Sequence, residues 1–144
     1  MKKIYISSDK DGVNLKDTVV EEVKKLGYEY EDLTDEGFDF VDSANIVCEK
    51  LLKDDDDTSV GVLIDRYGIG SYIAANKHKY IVAANVSDER TALMTKRHNG
   101  SRVLCMGSGI VGQDLAMTCL NNFLNYEYDG GRHQIRVDML NKML

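Results

Sequence analysis

Five short β-rich runs alternate with segments of helical periodicity, and this alternation constrains the fold more than any other feature. The runs are "KKIYISS" (2–8), "YEYEDLT" (28–34), "SVGVLID" (59–65), "IVAANVS" (81–87) and "SRVLCMG" (101–107). After the first, Leu15, Val19, Val23 and Leu26 recur at helical spacing, and Gly27 suits a helix C-terminus. "DFVDSANIVCEKLLKDDDD" (39–57) reads as a helix turning Val41, Ala44, Val47, Cys48 and Leu51 inward, its acidic tail a solvated helix end and loop. "GIGSYIAANKHKY" (68–80) leaves a glycine turn as a helix, and "DERTALMTKRHNG" (88–100) is a helix with Ser87 or Asp88 as N-cap. "IVGQDLAMTCLNNFLNYEY" (110–128) is a long amphipathic helix. Strands and helices in this order predict an α/β fold with a parallel sheet covered on both faces, in one domain spanning 1–144. The closing "GGRHQIRVDMLNKML" (130–144) is a last helix with Ile135, Val137, Met139, Leu140 and Met143 available for packing. Such a stripe after a glycine break is expected to lie on a partner, since it is otherwise exposed.

Charge and cysteines narrow the function classes. The 144 residues carry a net charge of -6, which argues against wholesale binding to nucleic acid or to an anionic membrane. Any anion must be held by a local cluster. Cys48, Cys105 and Cys119 are an odd set, each inside an apolar stretch, and read as buried reduced thiols rather than a disulfide framework. A cytoplasmic location is therefore expected. "MKKIYISSDKDG" enters a strand directly without the apolar region of a signal peptide, and no apolar run reaches bilayer-spanning length.

Parallel α/β sheets gather ligands at the carboxyl ends of their strands. Those ends are "SDKDG" (8–12), "IDRYGIGS" (64–71), "NVSDER" (85–90) and "MGSGIVG" (106–112). Gly68 and Gly70 open a helix N-terminus, which suits an anionic oxygen but equally suits a plain tight turn. The full dinucleotide and Walker patterns are absent. His98, at a helix end before Gly100, is either a proton-transfer group or a cap favoured by the helix dipole. His78 lies between two lysines and reads as surface; His133 is open. Arg132 and Arg136 stand four residues apart, about one helical turn. They are either surface charges paired with neighbouring carboxylates or a clamp on an anion, and the "GG" before them favours the clamp.

Three segments in order, "GIGSYIAANK", "RHNGSRVLCMG" and "YDGGRHQIRVDML", resemble the sugar-phosphate isomerases of the ribose-5-phosphate isomerase B and galactose-6-phosphate isomerase family. The resemblance runs over essentially the whole chain. It implies a three-layer α/β/α sandwich with a parallel five-stranded Rossmann-like sheet and a C-terminal dimerisation helix. It also implies aldose–ketose interconversion through a cis-enediolate, with no metal and no organic cofactor. In that family each site is built at a dimer interface. One chain lends a Cys loop that carries the base; its neighbour lends a His-Asn pair and two arginines. Carried over, the pattern makes His98 the catalytic residue for ring opening and Asn99, Arg132 and Arg136 the substrate-binding residues. Gly68, Gly70, Ala75, Asn76 and Lys77 match the loop and its helix, and Asp9 matches the Asp of the first strand end.

The departures are as specific. Asp65, or Arg66 if the gap is placed otherwise, stands where the family has its catalytic Cys. Lys10 replaces a His, and Gly109 an Arg. The resemblance thus implies a chain with the His and Arg half of a site and without the thiol half. The expected partner is a homologous B-type subunit that supplies the thiol loop, in a dimer or higher oligomer acting on a small sugar phosphate. Three other classes compete: a self-sufficient aldose-phosphate isomerase using Asp65, a non-catalytic structural or sugar-phosphate-sensing subunit, and a small nucleotide- or flavin-binding domain.

Overall fold

A computed structural model describes residues 2–144. Its frame is one five-stranded, all-parallel sheet in the order β2-β1-β3-β5-β4. The strands are β1 (Lys3–Ser8), β2 (Glu29–Asp32), β3 (Val60–Asp65), β4 (Ala83–Asn85) and β5 (Val103–Gly107). The helices are α1 (Val13–Lys25), α2 (Phe40–Lys53), α3 (Ile69–Asn76), α4 (Glu89–Asn99), α5 (Gln113–Asn125) and α6 (Gln134–Asn141). The α/β/α sandwich expected from the sequence is what the chain adopts, with the C-terminal helix present.

The period of two along the central strands divides the core. Ile4, Ile6, Val62, Ile64, Leu104 and Met106 face one side, where α1, α4 and α5 close over them with Val19, Ala92 and Phe123. Tyr5, Leu63, Val103 and Cys105 face the other, against Ala44, Val47 and Leu51 of α2 and Ala75 of α3. Both sides are apolar because parallel crossovers place helices on both faces. Two inward assignments differ: Leu26 and Val41 are exposed. Leu26 follows the last turn of α1, beside the left-handed Gly27, and Val41 lies in the first turn of α2, so the helical stripe has already left the core.

The helix signals act as written. Asp39 caps α2 in a capping box with Asp42, and the Asp88 carboxylate, rather than Ser87, caps α4 by accepting from the Thr91 amide at 2.7 Å. The acidic run after α2 is more organised than a solvated loop. Asp54 accepts the Tyr5 hydroxyl at 2.7 Å and the Asp56 amide at 2.9 Å. Burial, then this bond and the charge of Asp54, push the Tyr5 phenol up to about 12. His78 is half-buried rather than a surface residue, its Nε2 2.7 Å from Asn45 Oδ1.

Alone among the helices, α6 lies on the fold without being built into it. Val137 is its buried apolar residue, while Ile135, Met139 and Leu140 are exposed, as is Met143 beyond it.

Candidate active site

The chemistry-bearing residues collect at two opposite ends of the sheet. At the carboxyl end, the turns after β1, β3 and β5 are laced together. Ser108 and Gly109 amides donate to the Asp65 and Arg66 carbonyls, both at 2.8 Å, and Ser108 Oγ donates to the Asp11 carbonyl at 2.8 Å. Gly68 adopts φ +77°, a left-handed conformation that glycine reaches without strain. A Cβ on Gly107 would stand 2.5 Å from the Tyr67 backbone, so the two turns are in backbone contact.

Asp65 is turned inward at this end. Its side chain is 5% exposed, and Oδ2 accepts from the Ser71 amide at 3.2 Å. Its other oxygen is buried with no partner among the described residues. Arg66 lies over the Tyr67 ring, 5.9 Å from its centroid, and both are exposed. The Asp65 carboxylate therefore ties the start of α3 to the end of β3 from beneath the loop. Burial raises the Asp9 carboxyl above its usual value, with the charge of Asp65 adding to the effect.

None of the three thiols takes the missing place. Cys48, Cys105 and Cys119 are fully buried. Burial pushes Cys48 up to about 12, Cys119 up to about 11, and Cys105 upward as well, so none is a thiolate near neutral pH.

The other end is assembled from the last turn of α4 and the start of α6. α4 leaves the carboxyl end of β4 and returns, so its eleven residues carry His98 and Asn99 about 16 Å back along the sheet. Gly100 ends the helix at φ +59°. Asp129 then clamps the following segment down: its amide donates to the Arg97 carbonyl at 2.9 Å, and its carboxylate accepts both contacts of Arg97 Nε, at 3.2 and 3.3 Å. Gly130 and Gly131 both take positive φ, 64° and 57°, and so permit the reversal into a 3-10 turn at Gly131–His133 that runs on into α6.

That reversal stacks the His133 ring on His98, with centroids 4.2 Å apart and planes 13° from parallel. Arg132, in the 3-10 turn, and Arg136, in the first turn of α6, are exposed at the same end. Neither makes an ion pair with a described carboxylate, so the alternative of simple surface pairing does not hold here. Desolvation first, then His98 and Arg132, lower the His133 pKa.

Asn99 is fixed by a relay that local sequence did not reveal. Ser101 and Thr95 hydroxyls are 2.6 Å apart, and Thr95 donates to Asn99 Oδ1 at 3.0 Å. One lone pair of the Asn99 oxygen is thereby taken, and its amide N–H groups make no hydrogen bond among the described residues. A groove of about 850 Å³ joins the two ends along the edge strand β4, reaching from Asn85 to Asn99 and Leu140. Its rim is apolar, with Tyr72, Ile73, Tyr80 and Met143 exposed.

Comparison with known proteins agrees with this architecture. The family model described as Ribose/Galactose Isomerase matches residues 4–140. The chain is 48% identical to galactose-6-phosphate isomerase subunit LacA of Streptococcus pneumoniae over 97% of this chain and 98% of that one. It is 49% identical to the subunit of the same name from Staphylococcus epidermidis, over 97% and 98%. Among solved structures, ribose-5-phosphate isomerase B of Clostridium thermocellum superposes with a TM-score of 0.92 at 36% identity, covering 98% and 96% of the two chains. That of Mycoplasma genitalium, with bound ribulose-5-phosphate, gives 0.91 at 35%, covering 97% and 94%. With matching segments, matching topology and relatives over nearly the full length, this chain belongs to the ribose/galactose isomerase family of aldose–ketose isomerases.

Proposed function

We propose that this chain is the A-type subunit of a cytoplasmic, hetero-oligomeric galactose-6-phosphate isomerase that interconverts D-galactose 6-phosphate and D-tagatose 6-phosphate. One observation carries the reading: the side chains of His98, Arg132 and Arg136 make no hydrogen bond or ion pair among the described residues and gather beside Asn99, while the carboxyl end of the same chain holds a buried Asp65 and the three thiols are buried elsewhere in the core. One copy thus presents half of a reaction chamber. Arg132 and Arg136 hold the phosphate through charge-assisted hydrogen bonds. His98 exchanges a proton with the ring oxygen or anomeric hydroxyl to open the ring, and its stacking on His133 fixes the imidazole plane. Asn99 donates from its amide to sugar hydroxyl or enediolate oxygens. A homologous B-type subunit supplies the base that takes the proton from C2 and returns it at C1, or the reverse. Binding the distal phosphate places the reacting carbons against that base.

The apolar rim of the groove beside β4 and the exposed stripe of α6 support the subunit arrangement, since such area is otherwise unfavourable in water. The deciding experiment assays the purified chain, the purified B-type subunit and their mixture with D-galactose 6-phosphate. Activity in the mixture alone is the expected result. Full turnover by this chain alone would sink the shared-site reading and favour Asp65 as its own base.

A further inference from the structure

Behind α6 lies a second concavity, of about 360 Å³, that none of His98, Asn99, Arg132 and Arg136 lines. Its most unusual wall is Lys96, on the inner side of α4 and only 8% exposed. The ammonium sits 4.9 Å from the centroid of the Phe123 ring and has no hydrogen-bond acceptor or ion-pair partner among the described residues. A buried cation with only a ring face for company is costly. Burial, with Lys2 and Arg102 nearby, lowers it to about 8, against the opposing charge of Glu127. The Tyr128 hydroxyl, on the same wall, is buried and also lacks a partner.

Two further cations line the space with spare donors. Arg102 places Nε and Nη2 on the Ser59 carbonyl at 3.2 and 3.1 Å, which leaves Nη1 uncommitted. Lys2 Nζ gives one hydrogen to the Leu124 carbonyl at 3.1 Å and keeps two. Two carboxylates also reach the pocket, those of Asp57 and Glu127. Burial lowers the Arg102 pKa, with Asp57, Asp54 and Asp56 opposing it, as Glu127 opposes burial at Lys96.

We infer that this pocket binds a small dianionic oxyanion, either inorganic phosphate or the phosphoryl group of a small metabolite. The anion sits between Lys96, Arg102 and Lys2, with the Tyr128 hydroxyl as a further donor. It is separate from the arginine clamp: α6 covers the pocket with Gln134, Val137 and Asn141, whereas Arg132 and Arg136 do not line it. A bound anion would join α4, the start of β5 and the inner face of α6, and so steady the helix that carries Arg136.

The test uses the full chain with Arg132→Ala and Arg136→Ala, so the clamp cannot report. Its readout is binding, which makes it independent of the isomerase reading. Calorimetric titration with inorganic phosphate near neutral pH, at constant ionic strength, should show one saturable site and a rise in Tm that chloride does not give. Adding Lys96→Met should weaken binding by about tenfold or more, the loss of a hydrogen bond to a charged group. Tyr128→Phe, which preserves shape, should weaken it several-fold while leaving the apo-protein folded. Glu127→Gln should tighten it by removing the competing carboxylate. Glycerol 3-phosphate run in parallel separates the two sources, since tighter binding than inorganic phosphate identifies a metabolite and equal binding the free ion. Absence of a saturable site, or affinity unchanged by both Lys96→Met and Tyr128→Phe, would overturn the proposal. So would a Glu127→Gln variant that binds more weakly and melts lower, because Glu127 would then be the counter-ion of Lys96.

Discussion

At the carboxyl end of the sheet the turn after β3 is stitched to its neighbours beside a buried carboxylate, whereas at the amino end two stacked imidazoles and two exposed guanidinium groups make no side-chain hydrogen bond or ion pair among the described residues. Both ends are glycine turns against a helix terminus, but they use glycine differently. Gly107 lets two backbones touch and shuts the space, while Gly130 and Gly131 reverse the chain and bring His133 onto His98. The difference is one of exposure. At the carboxyl end the turn backbones are bonded to one another, while Ser8 Oγ and Asp65 Oδ1 are buried without a partner among the described residues; at the other end exposed cations without ion pairs favour an anion.

The contrast can be broken most severely at His98. His98→Gln should lower kcat of the enzyme reconstituted with its B-type partner by about a hundred- to ten-thousandfold, the range of general acid–base catalysis. Steady-state assay on the cyclic sugar checks this, and near-normal turnover would remove His98 from the mechanism. Arg136→Ala should raise KM by about ten- to a hundredfold, the worth of a charge-assisted contact, without preventing assembly. An unchanged KM would free the phosphate from this end.

The closed end should answer in stability instead. Gly107→Ala forces a Cβ to 2.5 Å from the Tyr67 backbone and should cost about 2–4 kcal/mol, or roughly 6–12 °C in Tm, with KM preserved below the transition. A smaller effect concerns pH. The folded-state pKa of His133 is depressed from 6.5, so the stability it contributes is present above that value and is lost as pH falls through the lower folded value. Tm against pH for wild type and His133→Asn should therefore run parallel above about pH 6.5 and converge below it. The smallest change is expected for Asp65→Asn, which keeps the shape of a group that serves α3: reconstituted kcat should stay within about twofold, against the large losses of general-base removal. Loss of all activity would give Asp65 the role of base.

Much of this is legible in the sequence. Asp88 and Gly100 announced the ends of α4, and hence the place of His98 at a helix terminus. "GGRHQIR" announced a turn and two cations four residues apart, which the structure divides between the 3-10 turn and α6. The stacking of His133 on His98 was not legible, because 35 residues separate them and their meeting depends on the clamp between Arg97 and Asp129. The relay from Ser101 through Thr95 to Asn99 left no pattern, since hydroxyl residues near a helix end ordinarily cap or face water. Lys96 reads as one more basic residue in "TKRHN", and only burial against Phe123 makes it unusual.

The sequence by itself determined the elements, their parallel arrangement and the residue types available for chemistry, because periodicity, caps and turn residues act over a few positions. Tertiary structure alone decided that these residues fall at opposite ends of the sheet, and that Asp65 points inward while the arginines point out. Such choices depend on which backbone groups meet across the fold and on what is left without a partner once they have met, and neither is written in any local stretch of chain.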